Sequence, residues 1–403
     1  GKREREAGEA QTFLASVGAG AAALAMRHTR AQDARKPNII FILADDLGYG
    51  DLGCFGQQEI KTPNLDALAR EGMRFTDYYA GSTVCAPSRC VLMTGYHTGH
   101  AYVRDNAKLS LLPEHVTIPE VLKQADYATG MVGKWGIGQE GSDGMPTRQG
   151  FDFFYGYLDQ TMAHNYYPEF LIKNEDRVSL LNKVPDAGEY GQGVATEKVE
   201  YSHDLILREG LNYVVANQNR PFFLYMALTI PHANNEAGDQ GMEVPDYGIY
   251  ADKDWPEPQK GHAAMISRMD DGIGKLVATL KRLGIYEHTM IVFSSDNGPH
   301  KEGGNDPAFH KSSGPLRGIK RDMYEGGIRV PTFVHWPGKV AAGTSSGLPS
   351  AFWDWMPTLA EIVGTTPPEG IDGISILTTL LGKPDAQQQH EYLYWEFQGK
   401  QGL

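Results

Sequence analysis

Four apolar runs constrain the fold of this chain more than any other feature. Asn38–Leu43 (NIIFIL) leads into Asp45-Asp46, and Tyr127–Val132 leads into Gly133-Lys134-Trp135. Phe222–Ile230 leads into Pro231-His232, and Thr289–Ser294 into Asp296-Asn297-Gly298. A strand that is apolar at every position is covered on both faces, which is the habit of parallel sheets. Helical patterns lie between the runs. Thr62-Pro63-Asn64 opens one, with Thr62 as N-cap, Pro63 at the first helical position and Gly72 at the end. Thr117–Gln124, Ala263–Leu283 (closed by Gly284) and Trp353–Val363 are further helices. Alternating strands and helices predict an α/β, doubly wound fold, a three-layer sandwich with a mostly parallel central sheet. Ligands of such sheets bind beyond the carboxyl ends of the strands. All four polar clusters follow their strands, so they are expected to converge on one site.

The 403 residues can bury a large core without cross-links. With 37 Lys+Arg against 50 Asp+Glu the formal net charge is −13, which argues against nucleic acid as the main partner. Cys54, Cys85 and Cys90 are too few for a disulfide scaffold or a Cys-rich zinc module. No apolar run reaches the ~20 residues of a membrane span. Lys2, Arg3 and Arg5 followed by the small, apolar Thr12–Met26 predict an export signal over residues 1–36, against a plain amphipathic helix. The apolar part resembles the tail of a twin-arginine leader, although Glu9-Ala10-Gln11 stands where the arginines belong. Export implies a periplasmic or secreted protein. Residues 37–386 are then the catalytic domain. Glu391–Phe397 (EYLYWEF) reads as a strand with no partner after it, so residues 387–403 are expected to begin a small antiparallel sheet that is cut short. The Gly-, Asp- and Pro-rich loops Gly138–Gly150 and Asn234–Pro258 are expected to shape a substrate site.

Asp45, Asp46, Asp296 and Asn297 supply oxygen ligands at two strand ends. Carboxylates brought together repel unless a cation sits between them, and an all-oxygen set selects a hard ion, calcium before magnesium. Singly, Asp-Asp could cap a helix and Asp-Asn-Gly could be a turn. Cys85 lies in Cys85-Ala86-Pro87-Ser88-Arg89, where Pro87 suits a first helical turn. Cys85 would then face the positive end of a helix dipole, and Arg89, one turn on, could point at the same anion. A buried structural cysteine remains the alternative.

Cys85-Ala86-Pro87-Ser88-Arg89 with Thr94-Gly95 resembles the signature of the type I sulfatases, in which the cysteine is oxidised to formylglycine. Pro37-Asn38 through Asp45-Asp46-Leu47-Gly48, Thr62-Pro63-Asn64-Leu65-Asp66, Gly133-Lys134-Trp135, Pro231-His232, Met269-Asp270-Asp271 and Ser295-Asp296-Asn297-Gly298 are similar to family motifs and fall in family order. Leu316-Arg317-Gly318-Ile319-Lys320 and Tyr324–Pro331 complete the series, and the resemblance covers residues 37 to 397. It implies an alkaline-phosphatase-like fold and a sulfuric ester hydrolase of the arylsulfatase or N-acetylgalactosamine-6-sulfatase type. It implies one calcium ion per chain, held by Asp45, Asp46, Asp296 and Asn297 with the modified Cys85. It gives Arg89 to the formylglycine, Lys134 and Lys320 to the sulfate, and His232 to the leaving-group oxygen as general acid. It implies a formylglycine-generating maturation enzyme as partner.

One departure stands out. Many members carry histidine two residues after the lysine, where this chain has Gly136, so His164, His300 and His310 are candidate replacements. The chemistry implied by the family uses a hydrated aldehyde: one hydroxyl attacks sulfur, and the other, once deprotonated, expels sulfate and restores the aldehyde. Gln160–Pro168 (QTMAHNYYP) resembles a segment of bacterial sulfatases of sulfated sugars, and Tyr155, Tyr157, Tyr166, Tyr167 and Trp255 could stack on sugar rings, against the more common place of aromatics in the core. Sulfated carbohydrate is therefore expected before simple aryl sulfates. Competing readings are a two-zinc phosphomonoesterase of the same architecture, a phosphonate or phosphodiester hydrolase, and an inactive glycan- or sulfate-binding relative.

Overall fold

The computed structural model describes residues 36–402. The export signal expected over residues 1–36 therefore lies outside the described residues, Lys36 apart. The strands are β1 (Asn38–Ala44), β2 (Met73–Phe75), β3 (Tyr78–Tyr79), β4 (Ala128–Lys134), β5 (Phe153–Tyr157), β6 (Phe170–Lys173) and β7 (Asp176–Ser179). They continue with β8 (Phe222–Ala227), β9 (Thr289–Ser295), β10 (Thr332–His335), β11 (Thr344–Ser346), β12 (Ser350–Ala351), β13 (Trp395–Phe397) and β14 (Lys400–Gly402). The main helices are α1 (Pro63–Arg70), α2 (Cys85–Thr94), α3 (Ile118–Lys123), α4 (Ser202–Asn217), α5 (Glu257–Arg282) and α6 (Trp355–Val363).

Ten strands form one sheet in the order β11-β2-β10-β9-β1-β8-β4-β5-β6-β7. Its centre, β9-β1-β8-β4-β5, is parallel throughout. Antiparallel strands extend both sides, β10 on β9 and then β6 and β7 on β5. Every residue of β1 is buried. Its pleat sends Ile39, Phe41 and Leu43 into a core with α2, α3 and α6, and Ile40, Ile42 and Ala44 into a second core with α1, α4 and α5. The three-layer sandwich follows from these two coverings. Cutting one such side chain back, as in Ile40→Ala, costs ~2–5 kcal/mol.

Several local expectations are corrected. Thr62 precedes α1 but makes no side-chain cap. Its hydroxyl is taken by Gly53 N–H and Asp66. The cap comes from α5 instead, where the Asp270 carboxylate accepts Asn64 N–H at 3.2 Å and Leu65 N–H at 2.7 Å. Two of the sequence motifs are thus halves of one helix–helix contact. α5 starts at Glu257 rather than Ala263, because Pro256 and Pro258 set the dihedrals of its first turn. α6 starts at Trp355, after a 3-10 turn at Phe352–Asp354. The expected terminal strand is only Trp395–Phe397, and it is not partnerless: it pairs with β14 across a turn in which Gln398 and Gly399 both have positive φ. Trp395 anchors that hairpin, donating to the Ala80 carbonyl at 2.9 Å.

Candidate active site

The parallel strands end level with one another. Leu43 pairs with Ala227, Ala44 with Ser295 and Ala227 with Gly133. The residues just beyond these pairs therefore share one rim. Asp45 and Asp46 follow β1, Lys134 ends β4, Asp296 and Asn297 follow β9, and His232 lies in the turn after β8. The N-terminus of α2 brings Cys85 and Arg89 to the same rim, as the helical reading of Pro87 implied. Cys85, Arg89, Lys134, His232, Lys320, Asp45, Asp46, Asp296 and Asn297 are all buried there.

Asp46 turns the chain in the left-handed region, φ 63°, which Asp tolerates better than most residues. Its N–H donates to Asp296 Oδ1 at 3.0 Å. Lys320 arrives on a long loop, held by its own N–H on the Pro299 carbonyl at 2.9 Å. That loop packs backbone to backbone under the Asp296-Asn297-Gly298 turn. A Cβ at Gly298 would lie 1.8 Å from the Gly326 carbonyl oxygen, and one at Gly326 would lie 2.1 Å from that of Gly318.

The charges interlock. Lys134 Nζ lies 2.7 Å from Asp45 Oδ2, and Lys320 Nζ lies 2.7 Å from Asp46 Oδ2. Arg89 grips Asp296 Oδ2 through Nε at 3.1 Å and Nη2 at 2.7 Å, and its Nη1 donates to the Lys134 carbonyl. Burial works against both lysine ammonium groups, but Asp45 and Asp46 outweigh it and hold them above their ordinary range. The expectation that the carboxylates need a metal to stand together is corrected in part. Asp45, Asp46 and Asp296 already face Arg89, Lys134 and Lys320, so the cluster balances without an ion. A divalent cation would leave it with a surplus of two positive charges, which suits an anionic ester.

The donor set fits such a cation. The lysines occupy Oδ2 of Asp45 and Asp46, which leaves both Oδ1 atoms toward Cys85, 3.3 and 3.8 Å from its Sγ. Asn297 Nδ2 donates to Asp46 Oδ1, while Asn297 Oδ1 is buried without a partner among the described residues. An orphaned amide oxygen beside converging carboxylate oxygens is the chemistry that hard ions take. Ligand atoms of Asp45, Asp46, Cys85 and His232 all lie within 4.8 Å of one another. Burial, then Asp296 and Asp45, hold the Cys85 thiol protonated, well above its ordinary range. As a plain cysteine it is no thiolate nucleophile.

His232 donates from Nδ1 to the Ala233 carbonyl at 2.7 Å. Its Nε2 faces Lys320 Nζ at 3.1 Å and Asp46 Oδ2 at 3.4 Å. Burial, then Lys320, keep the ring neutral, with its pKa well below the usual value. Tyr166, which sequence reasoning assigned to sugar stacking, instead donates to the Thr229 carbonyl at 2.9 Å and to the His232 carbonyl, and so fixes this turn. Tyr155, Tyr157 and Tyr167 are also buried and offer no sugar platform. Trp255 stacks on Tyr250 at 5.6 Å.

The histidines proposed to replace the one missing at Gly136 divide. His300 has both ring nitrogens engaged, with the Pro231 carbonyl and with Glu302 N–H. His310 packs against Trp255 at 4.8 Å and reaches the Gln259 carbonyl and Glu59. His164 and His300 lie on His232, stacked at 4.8 and 5.9 Å, and His300 also has a ring nitrogen within 4.8 Å of an Asp46 oxygen. Two further residues escaped sequence reasoning. Asn106 accepts the Ala86 N–H at 3.0 Å in the first turn of α2, and Glu302 lies 3.6 Å from Lys320 and 2.5 Å from Arg321. No local pattern marks either, because each acts across a long loop.

The sequence pattern of the sulfatase family matches residues 37–365. Arylsulfatase A of Homo sapiens is 34% identical over 388 residues, covering 90% of this chain and 71% of its own. N-acetylgalactosamine-6-sulfatase of Rattus norvegicus is 32% identical over 386 residues, covering 86% of this chain and 66% of its own. The chain thus spans about two thirds of the length of these relatives. Among solved structures, Ps i-CgsB in complex with k-i-k-neocarrahexaose superposes with a TM-score of 0.71 at 30% identity, covering 87% of this chain and 77% of that one.

Proposed function

The chain belongs to the sulfatase family, whose named relatives are sulfuric ester hydrolases, and we propose that it hydrolyses sulfate esters of carbohydrates through a formylglycine formed from Cys85. The observation that carries this reading is the setting of Cys85. It is a buried, protonated thiol at a helix N-terminus, faced by one carboxylate oxygen each of Asp45 and Asp46 and ringed by Arg89, Lys134 and Lys320. A thiol held this way gains nothing as a cysteine, whereas a hydroxyl at the same place would stand where a metal and three cations meet.

In this reading Asp45, Asp46, Asp296 and Asn297 hold one calcium ion. The ion would withdraw charge from the sulfuryl oxygens and from the attacking hydroxyl. The aldehyde hydrate at residue 85 would supply that hydroxyl and a second one, whose loss of a proton releases sulfate. Lys134 and Lys320 then neutralise the charge on the sulfuryl group, and Arg89 fixes both Asp296 and the end of β4. His232 rests neutral with Nε2 beside Lys320, so as general acid it would first take up a solvent proton at Nε2, once the anionic ester offsets the Lys320 charge, and then give that proton to the departing oxygen. The names of the relatives, an N-acetylgalactosamine-6-sulfatase and a protein bound to neocarrahexaose, support a sulfated sugar as substrate. The export reading of residues 1–36 would place the enzyme in the periplasm or outside the cell.

The test is co-expression with a formylglycine-generating enzyme, followed by the mass of the Cys85 peptide and by release of sulfate from sulfated glycans. The aldehyde mass together with sulfate release supports the reading. Release of phosphate or phosphonate in preference to sulfate, or no turnover by the converted protein, rejects it.

A further inference from the structure

The loop after β5 carries a buried side chain that the mechanism above leaves unused. The β4–β5 ladder runs on past the strand ends. Trp135 N–H donates to the Tyr157 carbonyl at 2.9 Å and Gly136 N–H to the Leu158 carbonyl at 3.0 Å. The Asp159 carboxylate then fixes the turn by accepting Thr161 N–H at 2.8 Å and Met162 N–H at 3.0 Å. Gln160 is thereby set beside Gly136. It is 7% exposed, and its Oε1 is buried with no hydrogen-bond partner among the described residues. An unpaired amide in a protein interior is a cost that a purely structural residue has no reason to carry.

Its position is specific. Gly136 has φ +78°, and a Cβ there would lie 2.7 Å from Gln160 Oε1 and 3.7 Å from Arg89 Cδ. The amide of Gln160 therefore fills the space into which a side chain at position 136 would point, beside the arginine that holds Asp296 and the Lys134 carbonyl. A side chain at 136 would crowd the mobile end of Gln160, on a backbone whose positive φ already strains any side chain there. An amide offers both a donor and an acceptor from one end by a half-turn of its last torsion.

We propose that Gln160 is a further catalytic residue of this chain, whose amide hydrogen-bonds the oxygens at residue 85 in the place where many sulfatases use a histidine two positions after the lysine. The proposal rests on the sulfatase reading and deepens it. Unlike imidazole, an amide takes up no proton at working pH, so Gln160 orients and stabilises charge and leaves proton transfer to other groups.

Gln160→Ala, Gln160→Met, Gly136→His and the double variant Gly136→His/Gln160→Ala test it, each with Cys85 conversion measured by peptide mass and folding by thermal melt. Gln160→Ala and the isosteric Gln160→Met are expected to lower kcat about 100-fold with KM nearly unchanged, the usual effect of removing one such hydrogen bond. Gly136→His is expected to lose activity, because a side chain at φ +78° is strained and its Cβ also meets Gln160 Oε1. The double variant keeps that backbone strain, so any recovery over Gly136→His alone measures only the contact removed. Wild-type kcat in a converted Gln160→Met protein overturns the proposal while leaving the sulfatase reading standing. A converted wild-type protein that releases no sulfate overturns both.

Discussion

Lys134 Nζ lies 2.7 Å from Asp45 Oδ2, and neither side chain reaches water. Lys320 and Asp46 repeat the arrangement at the same distance. Each lysine thus holds one oxygen of its carboxylate and leaves the other to face Cys85. Lys134→Ala is expected to lower kcat by about 10²- to 10³-fold through lost stabilisation of the sulfuryl charge. It is also expected to cost ~3 kcal/mol of stability, because buried Asp45 loses its close partner and keeps only Arg89, at 3.6 Å. Lys134→Arg is not expected to restore rate, since a planar fork replaces a point charge and Arg89 already occupies the carbonyl of residue 134. Sulfate release and urea unfolding measure the two effects separately. Wild-type turnover in Lys134→Ala would remove Lys134 from the sulfuryl group.

The orphaned Asn297 Oδ1 and the Oδ1 atoms of Asp45 and Asp46 that face Cys85 lead to a metal prediction that needs no turnover. Calcium should raise the melting temperature of the native protein, with ~2.7 kcal/mol of added stability at a hundredfold excess over Kd. Chelation should reverse this and stop sulfate release, and magnesium should replace calcium poorly, because it gives up its waters reluctantly. Asn297→Ala should weaken the calcium-dependent shift. A melting temperature indifferent to both chelator and calcium would show that the cluster binds no such ion.

The fold was largely legible because continuous apolar runs and parallel pairing are two sides of one fact. β1 has no polar residue to expose after Asn38, so it must be covered twice, and the polar residues after it must gather at the rim. The same logic found Asp45, Asp46, Lys134, His232, Asp296 and Asn297 together before any geometry was known. Lys320 came from the family resemblance alone, since no strand leads to it. What stayed hidden are contacts between elements distant in sequence. α4 was missed altogether, its apolar face interrupted by Gly210 and polar residues. Tyr166 looked like a sugar platform because composition does not tell a buried phenol from an exposed one. Gln160 had no reading of its own until Gly136 was seen to leave it room.

Asp270 separates structure from chemistry. Its carboxylate accepts Asn64 N–H, Leu65 N–H and Asn64 Nδ2 at 3.2, 2.7 and 2.8 Å, tying α5 to the first turn of α1. Asp270→Ala should therefore cost ~1–2 kcal/mol, the usual loss for a helix cap. kcat and KM should remain unchanged at temperatures where the variant is folded. Urea unfolding and initial rates check both halves. A selective loss of kcat in folded protein would mean that this motif reaches the rim after all.

His203, on α4, sets an acid limit on the fold. Neither of its ring nitrogens has a hydrogen-bond partner among the described residues. Burial lowers its pKa from 6.5 to about 4, with Asp204 acting upward and Arg268 and Lys275 acting downward. Above pH 6.5 the ring is neutral whether the chain is folded or not, so its contribution is fully present. As pH falls below 6.5 the unfolded chain binds a proton that the folded chain refuses. Stability then drops until the folded ring also protonates near pH 4, a loss of roughly 3 kcal/mol in all. His203→Leu removes the titrating group at a place where no hydrogen bond is lost. Urea unfolding of both proteins at pH 7 and pH 4.5 should show the wild type losing ~2–3 kcal/mol more than the variant. Other buried histidines contribute to both proteins alike, so the difference isolates His203. Equal losses in the two proteins would show that the ring is reached by solvent or finds a partner when charged.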